Sequence, residues 1–397
     1  MDTPALPHRI LAALTAAALL ALAPPRAPAA ENAGTLPAEA EAPFTVQRVA
    51  TFDGPWAIAF LPDGRILLTE KEGRMRIVAQ DGRSQPIAGV PEVYARGQTG
   101  LHHVAVSPGF ARDRTIYFTF IEPAPPRGGA LALARARLAE SPDGARLDGL
   151  QILWRQRQPA RSGHPGGRIA FAPDGRHLFL TVGERQESDT AQDPDQGRGK
   201  ILRMNPDGSV PADNPMAAAG GIRALTWTTG HRNSYGLAFA PDGTLWEHEM
   251  GPRGGDEFNR IEPGRNYGWP LVSNGDNYSG LPIPRHGAHP EFQAPALYWT
   301  PVIAPAGMAF YEGALFPGWR GSALIGGLVA EGLVRVAVDA RGGARQAGRW
   351  SLGERIRDVA VAPDGAIWLI EDGRDGGLLR LVPKGQPEAP AAPGLTR

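Results

Sequence analysis

The sequence predicts an all-β fold, a six-bladed β-propeller of four-stranded antiparallel blades. Three observations carry that prediction. A passage at 57–70, A-I-A-F-L-P-D-G-R-I-L-L-T-E, recurs along the chain in six versions. Within each version apolar residues fall on alternate positions, the period of a strand with one buried face. The versions begin 46 to 71 residues apart, room for one four-stranded blade and its loops.

Taken in order, residues 1–30 stand outside the fold. His8 and Arg9 precede an apolar run at 10–23, and Ala27-Pro28-Ala29 offers small residues for cleavage. The run is too short to span a bilayer and has the layout of a secretory signal peptide, so the expected location is periplasmic or secreted. Residues 31–43, rich in Ala, Glu and Pro, read as a flexible leader. The propeller domain is expected over 44–383. Its repeats are 57–70, 103–120, 168–183, 236–249, a degenerate copy at 307–327, and 358–371. In four of them the hairpin turn is Pro-Asp-Gly, where proline presets φ and glycine takes the left-handed position. Further strands are expected at 73–78, 199–204, 332–337 and 377–382, and a flexible Pro-rich tail at 384–397.

The chain balances 41 basic against 41 acidic side chains, which leaves no electrostatic footprint for nucleic acid or anionic lipid. It has no cysteine, so an exported form has no disulfides and relies on its core and on bound metal.

Spacing between the repeats is uneven. The long intervals after the third and fourth copies hold 190–223 and 251–306, loops with little periodicity, and loops of that length are usually functional. Polar groups sit at similar places just before or within the repeats: Gln98 in G-Q-T-G, His164 in G-H-P-G-G-R, the pair Arg232 and Asn233 in G-H-R-N, and Arg355 with Arg357 in R-I-R-D. In a propeller such positions converge on one mouth of the axis. One imidazole, three guanidiniums and two carboxamides there suit a planar, multiply anionic ligand. The loop at 250–259 adds acids and carbonyls able to hold a metal.

The motifs G-H-R-N-S-Y-G-L-A-F, E-M-G-P-R-G-G-D-E-F-N, N-Y-G-W-P, H-P-G-G-R-I and R-I-R-D, in that fold, resemble the soluble PQQ-dependent aldose sugar dehydrogenases of the glucose/sorbosone dehydrogenase family. The resemblance covers 44–383. It implies oxidation of the anomeric hydroxyl of an aldose to a lactone, with PQQ and Ca²⁺ as cofactors and an external electron acceptor. It implies His164 as the catalytic base, Arg232 stabilising the developing oxyanion, and contacts to PQQ or substrate from Gln98, Arg232, Asn233, Tyr278, Arg355 and Arg357. The carbonyls of Gly251 and Pro252 match those holding the Ca²⁺ bound to PQQ. Glu257 and the backbone of Tyr267 match a second, structural Ca²⁺ site, the oxygen-only set a hard cation takes. Glu184 matches an acid near the active site and stands as a partner for His164. Two positions depart from the family pattern: Val329 stands where related enzymes often carry a lysine, and Met250 replaces a more polar residue. Two other classes, a Ca²⁺-dependent lactonase or hydrolase propeller and a non-catalytic binding propeller, share the fold. The former needs acidic ligands on several blades, where this chain places arginines and a histidine.

Overall fold

The computed structural model describes residues 30–142 and 144–385; the segment expected to be a signal peptide, before Ala30, and the tail beyond 385 lie outside the described residues. The protein is all-β, and its sheets are built from four-stranded antiparallel units that follow one another along the chain. The first strands of these units are Pro55–Phe60, Leu101–Val106, Gly166–Phe171, Ser234–Phe239, Pro305–Phe310 and Ile356–Val361. Each lies beside the first strands of the units before and after it, and Ile356–Val361 lies beside Pro55–Phe60. The last unit takes its fourth strand from the start of the chain, Phe44–Phe52, which pairs antiparallel with Gly376–Pro383. The first two units share one eight-stranded sheet, joined by a short parallel pairing of Ser84–Ala88 with Gly144–Arg155.

The turn chemistry explains why the hairpins form where they do. In the Pro-Asp-Gly turns the aspartate Oδ1 accepts the N–H two residues on, as from Arg65 to Asp63 at 3.1 Å and from Thr244 to Asp242 at 2.9 Å. The following glycine then takes positive φ, +84° at Gly64 and at Gly243, a region closed to most side chains.

Alternate residues of the strands form apolar layers between neighbouring units. Among the described residues each adjacent pair of units has such a cluster, from Leu67 against Phe118 between the first two to Trp368 against Ile66 between the last and the first. Burying one such side chain contributes about 1.5–3 kcal/mol, so these layers dominate stability. Polar ties cross the middle. Arg168 of the third unit donates to Asp358 of the sixth at 2.7 Å, and Asp358 also accepts the Ile58 N–H of the first at 3.0 Å. Gly307 passes so close to Asp358 that a Cβ there would collide with it.

Residues 31–43 depart from the flexible leader expected of them. Glu31–Asn32 forms a parallel strand against Leu297–Trp299, and Ala33 is fully buried. The Asn32 amide does the anchoring: Oδ1 accepts from Gly34 N at 3.0 Å and Thr300 N at 2.9 Å, and Nδ2 donates to Thr300 O at 3.0 Å. Asn32→Ala is therefore expected to lower unfolding free energy by about 2–3 kcal/mol, about 1 kcal/mol per hydrogen bond, read from a urea denaturation curve. The interval 251–306 likewise contains strands, Asp256–Arg260 and Leu297–Trp299, between its irregular stretches. No helix among the described residues is long and apolar enough to cross a membrane.

Candidate active site and metal centre

In an antiparallel meander the start of the first strand and the end of the second lie at the same edge of the sheet. Gln98, His164, Arg232, Asn233 and Arg355 all precede or open first strands, while Gly251 and Pro252 follow the second strand Leu245–Glu249. The fold therefore gathers them at one end.

Hydrogen bonds show which of them meet. Gln98 Oε1 accepts the His164 backbone N–H at 2.8 Å. The His164 ring faces Glu184 through Nδ1, with Glu184 Oε1 as the acceptor. With Nδ1 donating to that carboxylate, Nε2 is the ring nitrogen left free to accept. Glu184 N donates to Arg232 O at 3.0 Å, and Gly166 N donates to Asn233 Oδ1 at 3.2 Å. Arg232 then reaches outward: Nη1 donates to Met250 O at 2.9 Å, Nη2 approaches the Tyr278 hydroxyl at 3.4 Å, and the guanidinium lies 5.3 Å from the Trp269 ring centre. Tyr278 is 74% exposed, so its ring stands at the rim. His164 itself adopts φ +40°, a left-handed conformation uncommon outside glycine and a recurrent mark of functional sites.

Arg355 and Arg357 form the other side, and both donate to Asp372, at 3.0 and 2.8 Å. Burial pushes the Asp372 carboxyl upward, but these two guanidiniums outweigh it and hold it below the usual carboxylate range. Arg357 also lies 4.2 Å from the Trp56 ring centre. Beneath Trp56 stacks His102 at 4.6 Å, whose Nε2 bonds Gln98 O at 3.1 Å. Burial, then the nearby Arg185 charge, lowers His102 to about 3, so it is a neutral ring. Trp56 and Tyr235, from units opposite one another, meet edge-on at 5.9 Å and form the floor. The two sides are thus one connected site.

Its buried polar atoms are not all satisfied. Glu184 Oε2, Arg232 Nε, Asn233 Nδ2 and the Tyr235 hydroxyl have no partner, and a buried polar group left unpaired costs about 1–3 kcal/mol. The carbonyls of Gly251 and Pro252 likewise accept no hydrogen bond among the described residues. Both features fit a polar ligand and a hard cation.

Behind Arg232 lies a buried acidic patch. Glu247 and Glu249 alternate along one strand and so share a face, and Glu257 stands opposite Glu249 in register. His231, Glu247 and Glu249 offer ligand atoms within 4.8 Å of one another. Burial first, and the Glu249 charge second, push the Glu247 and Glu257 carboxyls well above their usual range. Tyr267 stacks on His231 at 4.7 Å, its carbonyl accepts from His286 Nε2 at 3.1 Å, and the His286 Nδ1 left without a partner lies 3.8 Å from Glu257. Glu257 and Tyr267 do lie in one patch. Glu247, Glu249 and His286 were missed, although carboxylates at alternate strand positions opposite a third are a signal the sequence carries. Both His231 nitrogens already have partners, Thr228 Oγ1 at 2.9 Å and Glu249 Oε1 at 3.3 Å, so the carboxylates are the better ligands. The patch also touches the mouth, because Glu249 Oε2 accepts the backbone N–H groups of Arg232 and Asn233.

The basic mouth and the acid-lined loop beside it suit an anionic ligand and a cation. The chain belongs to the glucose/sorbosone dehydrogenase family, whose model matches residues 52–380. Among its relatives, the aldose sugar dehydrogenase YliI of Escherichia coli is 39% identical over 342 residues, covering 84% of this chain and 91% of that protein. The apo crystal structure of the soluble aldose sugar dehydrogenase of E. coli superposes with a TM-score of 0.79 at 37% identity, over 86% of this chain and all of that one. The PQQ-bound aldose sugar dehydrogenase of Streptomyces coelicolor superposes with a TM-score of 0.70 at 30% identity, over 87% of this chain and 99% of that one.

Proposed function

We propose that the protein is a PQQ- and Ca²⁺-dependent aldose sugar dehydrogenase on a six-bladed propeller, oxidising the anomeric hydroxyl to a lactone in the periplasm or outside the cell. The observation that carries the reading is the Gln98–His164–Glu184–Arg232 network, in which Glu184 engages His164 Nδ1, with unpaired polar atoms around it. The family membership and the PQQ-bound relative support it.

Each residue has a defined part. Glu184 fixes the His164 tautomer, so that Nε2 takes the proton from the C1 hydroxyl. Gln98 holds the backbone of His164 and thereby the ring's position. The guanidiniums of Arg232, Arg355 and Arg357 would meet the carboxylates and quinone oxygens of the cofactor, with Asn233 Nδ2 and the Tyr278 ring alongside. Arg232 would stabilise an oxygen gaining negative charge. The carbonyls of Gly251 and Pro252 would hold the cofactor's Ca²⁺, and Glu257 with Tyr267 O a second ion. When bound, PQQ supplies the two-electron acceptor for the hydride leaving C1, and Ca²⁺ polarises its quinone carbonyl.

Titrating the protein with PQQ and Ca²⁺ while following cofactor absorbance, then adding aldoses and a dye, tests the reading. Stoichiometric binding and aldose-dependent dye reduction are expected. Bound PQQ without turnover on any aldose would leave a binding propeller, and no binding would remove the cofactor assignment.

A further inference from the structure

We propose that Asp256 is a positioning residue that fixes the distance between the metal-holding carbonyls and the arginine side of the mouth. The inference rests on the cofactor reading above and goes beyond it, since Asp256 belongs to neither ligand set. Its carboxylate is 1% exposed and bridges two loops. Oδ1 accepts the Gly251 N–H at 2.9 Å, and Oδ2 accepts both Ile303 N at 2.8 Å and Ala304 N at 2.7 Å. Three backbone donors, rather than an ion pair, hold it in place.

Each end of the bridge leads to the mouth. On one side the turn at 251–255 is tight enough that a Cβ on Gly251 would collide with the carbonyls of Gly254 and Gly255. Holding the Gly251 N–H fixes the Met250–Gly251 peptide, whose carbonyl accepts Arg232 Nη1 and which leads directly into the units carrying the Gly251 and Pro252 carbonyls. On the other side Ala304 sits at φ +48°, a conformation that needs over-determination to persist. From there the carbonyls of Ile303 and Ala304 accept from Val329 N at 3.0 Å and Leu328 N at 2.9 Å. Leu328 O in turn faces Arg355 Nη1 at 3.4 Å, and Arg355 shares Asp372 with Arg357. A single side chain thus ties the Gly251 loop to the arginine pair through alternating stretches of backbone and hydrogen bonds. A ligand that must touch a metal at one end and guanidiniums at the other depends on that spacing. Groups standing behind metal ligands commonly govern affinity tenfold to a hundredfold.

The test compares Asp256→Asn, Asp256→Glu and Thr300→Val in the full protein. Asparagine keeps the volume but turns an N–H₂ toward donors. Glutamate keeps charge and acceptors but lengthens the bridge. Thr300 Oγ1 accepts from Gly255 N at 2.8 Å, so its loss weakens the same loop without touching Gly251. The PQQ dissociation constant and the Ca²⁺ concentration for half-maximal PQQ binding are measured by absorbance, with a thermal melt of each apo-protein. Both Asp256 variants are expected to raise both constants by about tenfold to a hundredfold, while Thr300→Val lowers the melting temperature and leaves them unchanged. Folded Asp256 variants with wild-type constants, or an equal shift in Thr300→Val, overturn the assignment. So does failure of both Asp256 variants to fold, which would make the residue a structural group. Absence of PQQ binding by the wild-type protein overturns the cofactor reading itself, and the assignment with it.

Discussion

His164→Asn is expected to lower kcat by about 10²–10⁴-fold, the range for loss of a positioned general base, while PQQ still binds. Asparagine is the informative replacement because it tolerates the +40° φ at this position better than alanine or glutamine. The bond from Gln98 goes to the backbone N–H, so it survives the substitution and keeps the loop in place. What disappears is the nitrogen base and its pairing with Glu184. A hundredfold loss corresponds to about 2.7 kcal/mol of transition-state stabilisation. Rapid-mixing measurement of cofactor reduction by aldose, at saturating sugar, reads the step directly. A loss smaller than about tenfold would move the base elsewhere.

If a cation fills the acidic patch as proposed, a chelator is expected to destabilise the protein increasingly as pH rises. Without a cation the folded state holds Glu247, Glu249 and Glu257 together out of water, and two of them have carboxyl values raised well above 4.5. An acid with a raised folded value binds its proton more tightly folded than unfolded. Stability is then unaffected below the unfolded value near 4.5, falls as pH rises past it, and levels off only beyond the folded values. Uncompensated buried charge costs about 3–5 kcal/mol, which for a domain of this size lowers the melting temperature by roughly 5–10 °C. Melts in chelator and in Ca²⁺, at pH 5 and pH 8, should separate widely only at the higher pH. Curves that stay parallel across pH would show that no cation serves this patch.

The repeats could be read because their information is local: proline, aspartate and glycine each act within three residues, and alternation shows the buried face. The mouth could be read in part, since equivalent repeat positions converge whatever the intervening length. Asp256 could not, because its partners Ile303 and Ala304 lie almost fifty residues on and donate through the backbone, which leaves no mark in the side-chain pattern. Asp372, the shared acceptor of Arg355 and Arg357, escaped for the same reason of distance. The leader was misjudged because a two-residue strand has no period; only Asn32 announces it.

The pairing of Phe44–Phe52 with Gly376–Pro383 has a consequence in time. A chain made from its N-terminus offers Phe44–Phe52 long before its partner. Contacts this distant in sequence form late and slowly. Arg355 and Arg357 come shortly before that partner, so the arginine side of the mouth is made long after His164 and Arg232. A chain interrupted before Gly376 would keep His164, Arg232, Arg355 and Arg357 yet leave its opening strand unpaired. Closure of the last unit is therefore tied to translation through Pro383.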